Sequence, residues 1–357
     1  MIQSRFDRVI AEMEQVGLSQ LLISDPLGIL YLTGIENHPF ERFWALLIRS
    51  DGNHVLFSNK LFHLPETPLQ VVTLSDTDDV AANVAPHLLH DTLGVDKVLQ
   101  ARFLLPLMAA APTAKMVLGS DCVDNVRACK DEAERALMRR ASEINDICIE
   151  KVAAYIHDGA TEVECTDYLL KCYDEFGCDG VAFTPIVSFG ANAADPHHTP
   201  DNTVVKEGDC IVIDIGCVKD RYCSDMTRTY FWKKADPRHA ELYNIVREAN
   251  EKATTLVRAG VPLCELDAAA RDHITAAGYG EYFTHRLGHF IGMEDHEKGD
   301  VSIANHTPAK THNVFSIEPG IYLPGDFGCR IEDLVIVTED GCEILNTDNK
   351  ELEILGL

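Results

Sequence analysis

The sequence predicts two domains, a small α/β domain over residues 1–122 and a larger α+β domain over residues 123–357. Three observations carry this. At 357 residues the chain exceeds the usual size of a single hydrophobic core. The part before Gly119-Ser120-Asp121-Cys122-Val123-Asp124, taken as the crossing point, alternates short helical and strand-like patterns. The part after it carries long amphipathic helices between pairs of apolar strands, the pattern of helices laid on antiparallel sheets.

The elements follow in order. Ile2, Phe6, Val9, Ile10, Met13 and Val16 recur at helical spacing with charges between them, predicting a surface helix over 2–17 and no signal peptide. Strands are expected over 21–24, 43–48 and 54–58, and helices around 78–90 and 101–111. A long helix starts near Lys130-Asp131-Glu132, whose acids suit a helix N-terminus, and continues through Ile144, Ile147, Val152 and Tyr155. Further helices are expected near 161–176, 237–259 and 263–276, with strand pairs between them. No window approaches a membrane span, and no segment is of low complexity.

Apolar residues make up 46% of the chain, which suits a folded protein with sizeable cores. The net charge of −26, from 57 acidic and 31 basic residues, argues against nucleic acid and anionic membrane as partners. It fits a soluble cytoplasmic protein. None of the 12 cysteines precedes Cys122, and no two are spaced C-x-x-C. With Cys148, Cys210 and Cys217 in apolar runs, the pattern reads as reduced, buried thiols. A zinc-thiolate site or a catalytic cysteine ranks far behind.

Five residues stand out as metal ligands: Asp214, Asp225, His289, Glu318 and Glu332. Asp214 lies inside Cys210-Ile211-Val212-Ile213-Asp214-Ile215-Gly216, a strand read as buried on both faces. An ionised carboxylate there costs several kcal/mol unless a cation or a set of donors meets it. Asp225 follows eleven residues later in Cys223-Ser224-Asp225-Met226-Thr227, on what reads as the returning strand of a hairpin. Glu318 stands in Ser316-Ile317-Glu318-Pro319-Gly320 and Glu332 in Arg330-Ile331-Glu332-Asp333-Leu334. Any one of these, taken alone, is more often a satisfied structural residue. Together they form a set of oxygen donors with one imidazole, suited to Mn, Fe, Co or Zn.

The stretches Ile213-Asp214-Ile215-Gly216 and Ser224-Asp225-Met226-Thr227-Arg228-Thr229 resemble the first metal motif of the pita-bread metallopeptidases. That family holds the Xaa-Pro dipeptidases (prolidases), Xaa-Pro aminopeptidases, methionine aminopeptidases and creatinases. Arg286-Leu287-Gly288-His289-Phe290-Ile291-Gly292-Met293 with His296-Glu297 resembles its histidine motif. Ser316-Ile317-Glu318-Pro319-Gly320-Ile321-Tyr322 and Arg330-Ile331-Glu332-Asp333 resemble its glutamate motifs, and Ala194-Asp195-Pro196-His197-His198 an upstream histidine element. The front of the chain matches more loosely, through Asp25-Pro26-Leu27, Tyr31-Leu32-Thr33-Gly34 and Pro39-Phe40-Glu41-Arg42-Phe43.

The resemblance implies a pita-bread catalytic domain preceded by a creatinase-like N-terminal domain. It implies two divalent metal ions, with manganese ranked first. Asp214 would chelate one ion, Asp225 and Glu332 would bridge both, and His289 and Glu318 would complete the second. A hydroxide between the ions is the implied nucleophile, with Glu318 as general base. His197 and His296 would steady the scissile carbonyl, with His198 outside the reacting centre or on the surface. Thr227 and Arg330 would orient ligands. Lys298 or Arg330 would meet the carboxylate of an Xaa-Pro dipeptide, although Arg330 fits the supporting role better. A homodimer is implied as well.

Three positions depart from the family pattern. Phe290 stands where glycine usually follows the metal histidine, so its ring either narrows the pocket floor or turns outward. Arg221 replaces a common glycine before Tyr222-Cys223-Ser224-Asp225, and Lys298-Gly299 follows His296-Glu297 where many prolidases carry an aromatic residue and a proline. These bear on substrate fit and remove no ligand. The overall reading is an Xaa-Pro dipeptidase. An Xaa-Pro aminopeptidase is the alternative, and a non-catalytic binding module ranks well behind.

Overall fold

Short apolar runs in the first third of the chain pair into one mixed sheet in the computed structural model, which describes residues 1–357. This first compact unit spans Met1–Arg127. Its elements are α1 (Gln3–Gln15), β1 (Gln20–Ile23), α2 (Pro26–Thr33), β2 (Ala45–Arg49), β3 (Val55–Asn59), β4 (Gln70–Leu74), α3 (Val80–Val84), β5 (Leu93–Val95), α4 (Ala101–Ala110), β6 (Met116–Leu118) and α5 (Asp121–Ala128). The sheet order is β4-β3-β2-β1-β5-β6, and Leu22, Leu47, Phe57, Val84 and Leu93 fill its core. The chain passes into the second unit at the end of α5, whereas the sequence places the crossing at 119–124.

Two local differences have plain causes. Residues 26–33 form a helix because Asp25 caps it, accepting from the Leu27 and Gly28 amides, with Pro26 in the first turn. Gly34 ends it at φ +73°. The helix expected over 78–90 is instead α3 followed by a 3-10 turn at Ala85–His87 that carries Pro86 near its start. Proline lacks the amide hydrogen that a continuing α-helix needs there.

The second unit, Ala128–Leu357, begins with two helices, each opened by a capping box. Asp131 and Glu134 cap α6 (Glu132–Tyr155), and Thr161 and Glu164 cap α7 (Glu162–Glu175). Then come β7 (Gly180–Val181), β8 (Ile186–Phe189), β9 (Cys210–Ile215), β10 (Cys217–Lys219), β11 (Tyr222–Cys223) and β12 (Met226–Trp232). Helices α8 (Pro237–Leu256) and α9 (Leu263–Ala276) separate these from β13 (Gly288–Phe290), β14 (Glu297–Val301), β15 (Val314–Ile317), β16 (Gly320–Leu323), β17 (Phe327–Arg330), β18 (Asp333–Val337), β19 (Cys342–Ile344) and β20 (Ile354–Leu355).

One sheet runs β20-β12-β9-β8, and Ile144, Cys148 and Leu169 of α6 and α7 pack on its Val187, Ile213 and Met226. A second runs β14-β13-β15-β18-β19, and Val246 and Leu266 of α8 and α9 pack with its Phe315 and Val335. The sheets meet at the isolated bridge between Thr227 and Glu332. Buried Arg228 secures the junction, donating to the Glu332 carbonyl at 2.7 Å and to Asp333 Oδ1 at 2.8 Å. Between β10 and β11 the backbone turns through Asp220 and Arg221 at φ +48° and +70°. Arg221 therefore occupies a left-handed position, which explains why glycine suits it.

Candidate metal centre and its cavity

Each of the five candidate ligands is placed by strand pairing around this junction. Asp214 is on β9, directly opposite Thr227 of β12. Asp225 lies one residue before β12 and not within it, after the Cys223 amide has bonded to the Gly292 carbonyl. His289 is the central residue of β13, Glu318 follows the last residue of β15, and Glu332 lies between β17 and β18. Residues more than a hundred positions apart thereby face one cavity of about 640 Å³.

The donor atoms converge. Asp225, His289 and Glu332, all buried, have ligand atoms within 4.8 Å of one another. His289 Nε2 lies 3.4 Å from Asp225 Oδ2 and 3.6 Å from Glu318 Oε1. Asp214 Oδ1, Asp225 Oδ1 and Glu332 Oε1 are buried oxygens with no hydrogen-bond partner. Buried carboxylate oxygens are costly when unpaired, and a divalent cation is the partner that this donor set accepts. The residues present fit divalent metal ions.

The opposite oxygens are held by a continuous network. Thr227 Oγ1 donates to Glu332 Oε2 at 2.7 Å and accepts from Arg330 Nε at 3.1 Å. Arg330 Nη2 donates to Asp214 Oδ2, and its Nη1 donates to Tyr322 Oη at 2.7 Å. The Tyr322 hydroxyl then donates to His285 Nε2 at 3.0 Å, since His285 Nδ1 faces the Arg286 carbonyl at 2.8 Å and so carries the ring hydrogen. Burial first, then Arg330, holds the His285 pKa down to about 4, in keeping with a neutral ring. Ser316 Oγ donates to Glu318 Oε1 at 3.1 Å and accepts from the His289 amide at 3.0 Å.

His197 and His296 both line the cavity as exposed side chains. The His296 ring centroid is 4.1 Å from that of His289. His198 also lines it, and its Nε2 is pinned 2.7 Å from Oε2 of fully buried Glu162. That carboxylate also accepts from the Phe189 and Asp201 amides and from Asn192, so the Glu162–His198–Asp201 group is a saturated bracing contact. Arg330 lines the cavity, but Asp214, Thr227 and Tyr322 take up its guanidinium. Lys298 is exposed on β14 and is not part of the cavity wall, which corrects its expected place beside the substrate. The Phe290 ring turns away from the cavity into the core, 5.4 Å from Phe315. A shift of register between His289 and Phe290 accompanies this, and a Cβ at Gly299 would stand 2.6 Å from the Phe290 ring.

Asp295, His285, Arg286 and Tyr322 are among the lining or supporting residues that escaped the sequence reading. Asp295 lines the cavity with a buried, unpartnered Oδ1, touches Asp225 and has Oδ2 3.2 Å from His296 Nδ1. His285 and Arg286 are in the wall, and Tyr322 links His285 to Arg330. Arg286 opens the quoted histidine motif and Asp295 directly precedes its His296, so a cation and an acid within three residues and one residue of its histidines were the available signal.

Electrostatics reflects the crowding. Burial, then the charge of Glu332, drives Asp225 well above the usual carboxylate range, and burial, then Glu318, does the same to Glu332. Glu318 is pushed up to about 8 and Asp295 to about 7, in both cases chiefly by burial. Burial lowers His289 to about 3, leaving the neutral imidazole that metals bind. Raised carboxyls stabilise the metal-free fold below their unfolded pKa, and that contribution is lost as pH rises through the folded values of about 7 and 8. Above pH 7 the lowered histidines contribute no opposing change. In chelator the melting temperature should therefore fall between pH 7 and 9, and saturating manganese should remove the fall. Equal slopes with and without metal would contradict the placement of these carboxylates in one metal centre.

Residues 136–339 match metallopeptidase family M24, and residues 5–129 match the creatinase/prolidase N-terminal domain. The chain belongs to metallopeptidase family M24. An uncharacterized peptidase of Staphylococcus aureus (strain USA300) is 34% identical, covering 96% of this chain and 98% of its own length. A prolidase from Thermococcus sibiricus is 32% identical with a TM-score of 0.91, covering 99% of both chains. An X-Pro aminopeptidase from Thermotoga maritima is also 32% identical, with a TM-score of 0.85, covering 98% of this chain and 99% of its own. The two-domain M24 architecture thus accounts for the sheet-junction site as a metallopeptidase centre binding divalent metal ions. No helix in this metallopeptidase is long and apolar enough to cross a membrane.

Proposed function

We propose that this metallopeptidase hydrolyses the imide bond of Xaa-Pro dipeptides with two divalent ions. Asp214 would hold one ion, His289 and Glu318 the other, and Asp225 and Glu332 both. The observation that carries the reading is the set of three buried, unpartnered carboxylate oxygens on Asp214, Asp225 and Glu332 in one cavity. Carboxylates with a single imidazole suit manganese, with cobalt, zinc and iron as further candidates. When bound, such a pair supplies a water-derived nucleophile near neutral pH.

The chain's own groups do the rest. Glu318 takes the proton from the attacking water and delivers it to the leaving nitrogen. That delivery matters for proline, whose imide nitrogen carries no hydrogen in the substrate and must gain one to leave. His197 and His296 donate to the carbonyl oxygen as it becomes negative. Thr227 and Arg330 keep Glu332 and Asp214 turned inward.

A prolidase and an X-Pro aminopeptidase match this chain at equal identity, so the fold does not choose between dipeptides and longer peptides, and the substrate assay decides. The test is hydrolysis of Ala-Pro, Leu-Pro and Ala-Pro-Ala by the purified protein loaded with manganese, cobalt or zinc. Cleavage of both dipeptides and little of the tripeptide is the expected result. Preferred cleavage of Ala-Pro-Ala would replace the reading with an Xaa-Pro aminopeptidase.

A further inference from the structure

His197 is an exposed side chain on a segment that belongs to no helix or strand. Between the 3-10 turn at Gly190–Ala194 and the start of β9 at Cys210 the chain runs without a regular element, and Pro196, His197, His198 and Thr199 line the cavity from it. The His197 amide bonds to Asp195 Oδ1 at 3.0 Å, which fixes its backbone to a near neighbour and not to the rest of the domain. A donor to a developing oxyanion needs a set direction, because a displacement of about 1 Å can cost roughly 10² in rate. A group outside the segment has to supply that direction.

Glu162 is such a group. Its carboxylate is fully buried in the first turn of α7, where the helix dipole favours a negative charge. Oε1 accepts from the Phe189 amide at 2.8 Å and from Asn192 Nδ2 at 3.0 Å. Oε2 accepts from His198 Nε2 at 2.7 Å and from the Asp201 amide at 3.0 Å. These donors sit at the end of β8, in the 3-10 turn, directly beside His197 and shortly after it. One side chain thus grips the segment on both sides of the histidine. The Val163 amide adds a bond to the Asp201 carbonyl at 3.2 Å, joining the start of α7 to the same stretch. An ionised carboxylate has room for all four donors, whereas the amide nitrogen of a glutamine would face two of them. All four bonds run to residues outside the five candidate metal ligands.

We infer that Glu162, partly through the ring of His198, is the positioning residue that aims His197 at the substrate carbonyl. The inference rests on the role given to His197 above, and it assigns His198 to the orientation of its neighbour.

The experiment is a double-mutant cycle of wild type, Glu162→Gln, His197→Ala and the double variant. Each is loaded with manganese and assayed on Ala-Pro, or on Ala-Pro-Ala if only that is cleaved, with metal content measured for all four. Glu162→Gln should lower kcat by roughly 10²-fold, with KM within a few-fold and metal content unchanged. That loss should vanish in the His197→Ala background, because the aim of an absent imidazole costs nothing. The same further loss in both backgrounds, or an unchanged kcat in Glu162→Gln, would overturn the inference. So would near wild-type turnover by His197→Ala, which leaves the hydrolase reading standing. If Glu162→Gln does not fold, His198→Phe takes its place in the cycle, and His198→Gln, which restores an N–H donor, should recover part of the rate. If wild type cleaves neither peptide, the Xaa-Pro reading fails and crystal structures of wild type and the folded variant decide the positioning role. A displaced His197 imidazole supports it, and an unmoved one overturns it.

Discussion

Asp225→Asn should abolish both metal loading and peptide hydrolysis, and in chelator at pH 8 it should melt higher than wild type. The two halves of this result have one cause. Asp225 is buried, its Oδ1 has no partner, and Glu332, Asp295, Asp214 and Glu318 all crowd it with like charge. In the metal-free fold that carboxylate must either keep a proton at cost or ionise against its neighbours. An amide of nearly the same shape carries no charge, so the metal-free fold gains stability. The same exchange removes an anionic donor placed 3.4 Å from His289 Nε2. The rate should fall by more than the roughly 10²–10³ that a lost oxyanion donor costs. Elemental analysis and thermal melts on one sample check both halves. Two tightly bound ions in the Asp225→Asn protein, or a lower melting temperature in chelator, would refute the account.

This opposition between folding and binding also explains what the sequence could reveal. Asp214 was legible because it interrupts a strand, Cys210–Ile215, in which every residue is buried. Glu318 and Glu332 were legible for the same reason, as acids bordering apolar strands. The long helices were legible from periodicity, and α6, α7 and α9 begin within two residues of where the pattern starts. Strands β5 and β6 are three residues each, too short for any period to show. Strand β4 is largely exposed along the sheet edge and lacks the apolar run of its neighbours. Asp295, Arg286, His285 and Tyr322 were missed for another reason. Their importance lies in what faces them across a gap of sequence, as Tyr322 faces His285 thirty-seven positions earlier. The cation for the substrate shows the limit clearly. Sequence ranked Lys298 and Arg330 by nearness to motifs, whereas the structure puts Lys298 outside the cavity wall and ties each of the three Arg330 side-chain nitrogens to Thr227, Tyr322 or Asp214.

His197→Ala and His296→Ala should each keep both metals and lose roughly 10²–10³ in kcat, a loss typical of a single donor to a developing oxyanion. The two side chains reach the cavity from different elements. His197 follows β8 through a 3-10 turn, with its amide bonded to Asp195 Oδ1 at 3.0 Å. His296 precedes β14 and stacks obliquely on His289 at 52°. Neither side chain is buried, unlike the ligand His289, so a truncation leaves no sealed void and the fold should hold. A role made only in the transition state predicts that KM for Ala-Pro stays within a few-fold while kcat falls. Because His296 touches His289, calorimetric titration with manganese is needed beside the kinetics. Unchanged affinity with a collapsed kcat assigns His296 to the substrate carbonyl. A matching loss of metal affinity would make it a support for His289 instead. Near wild-type turnover in both variants would remove the two histidines from the mechanism.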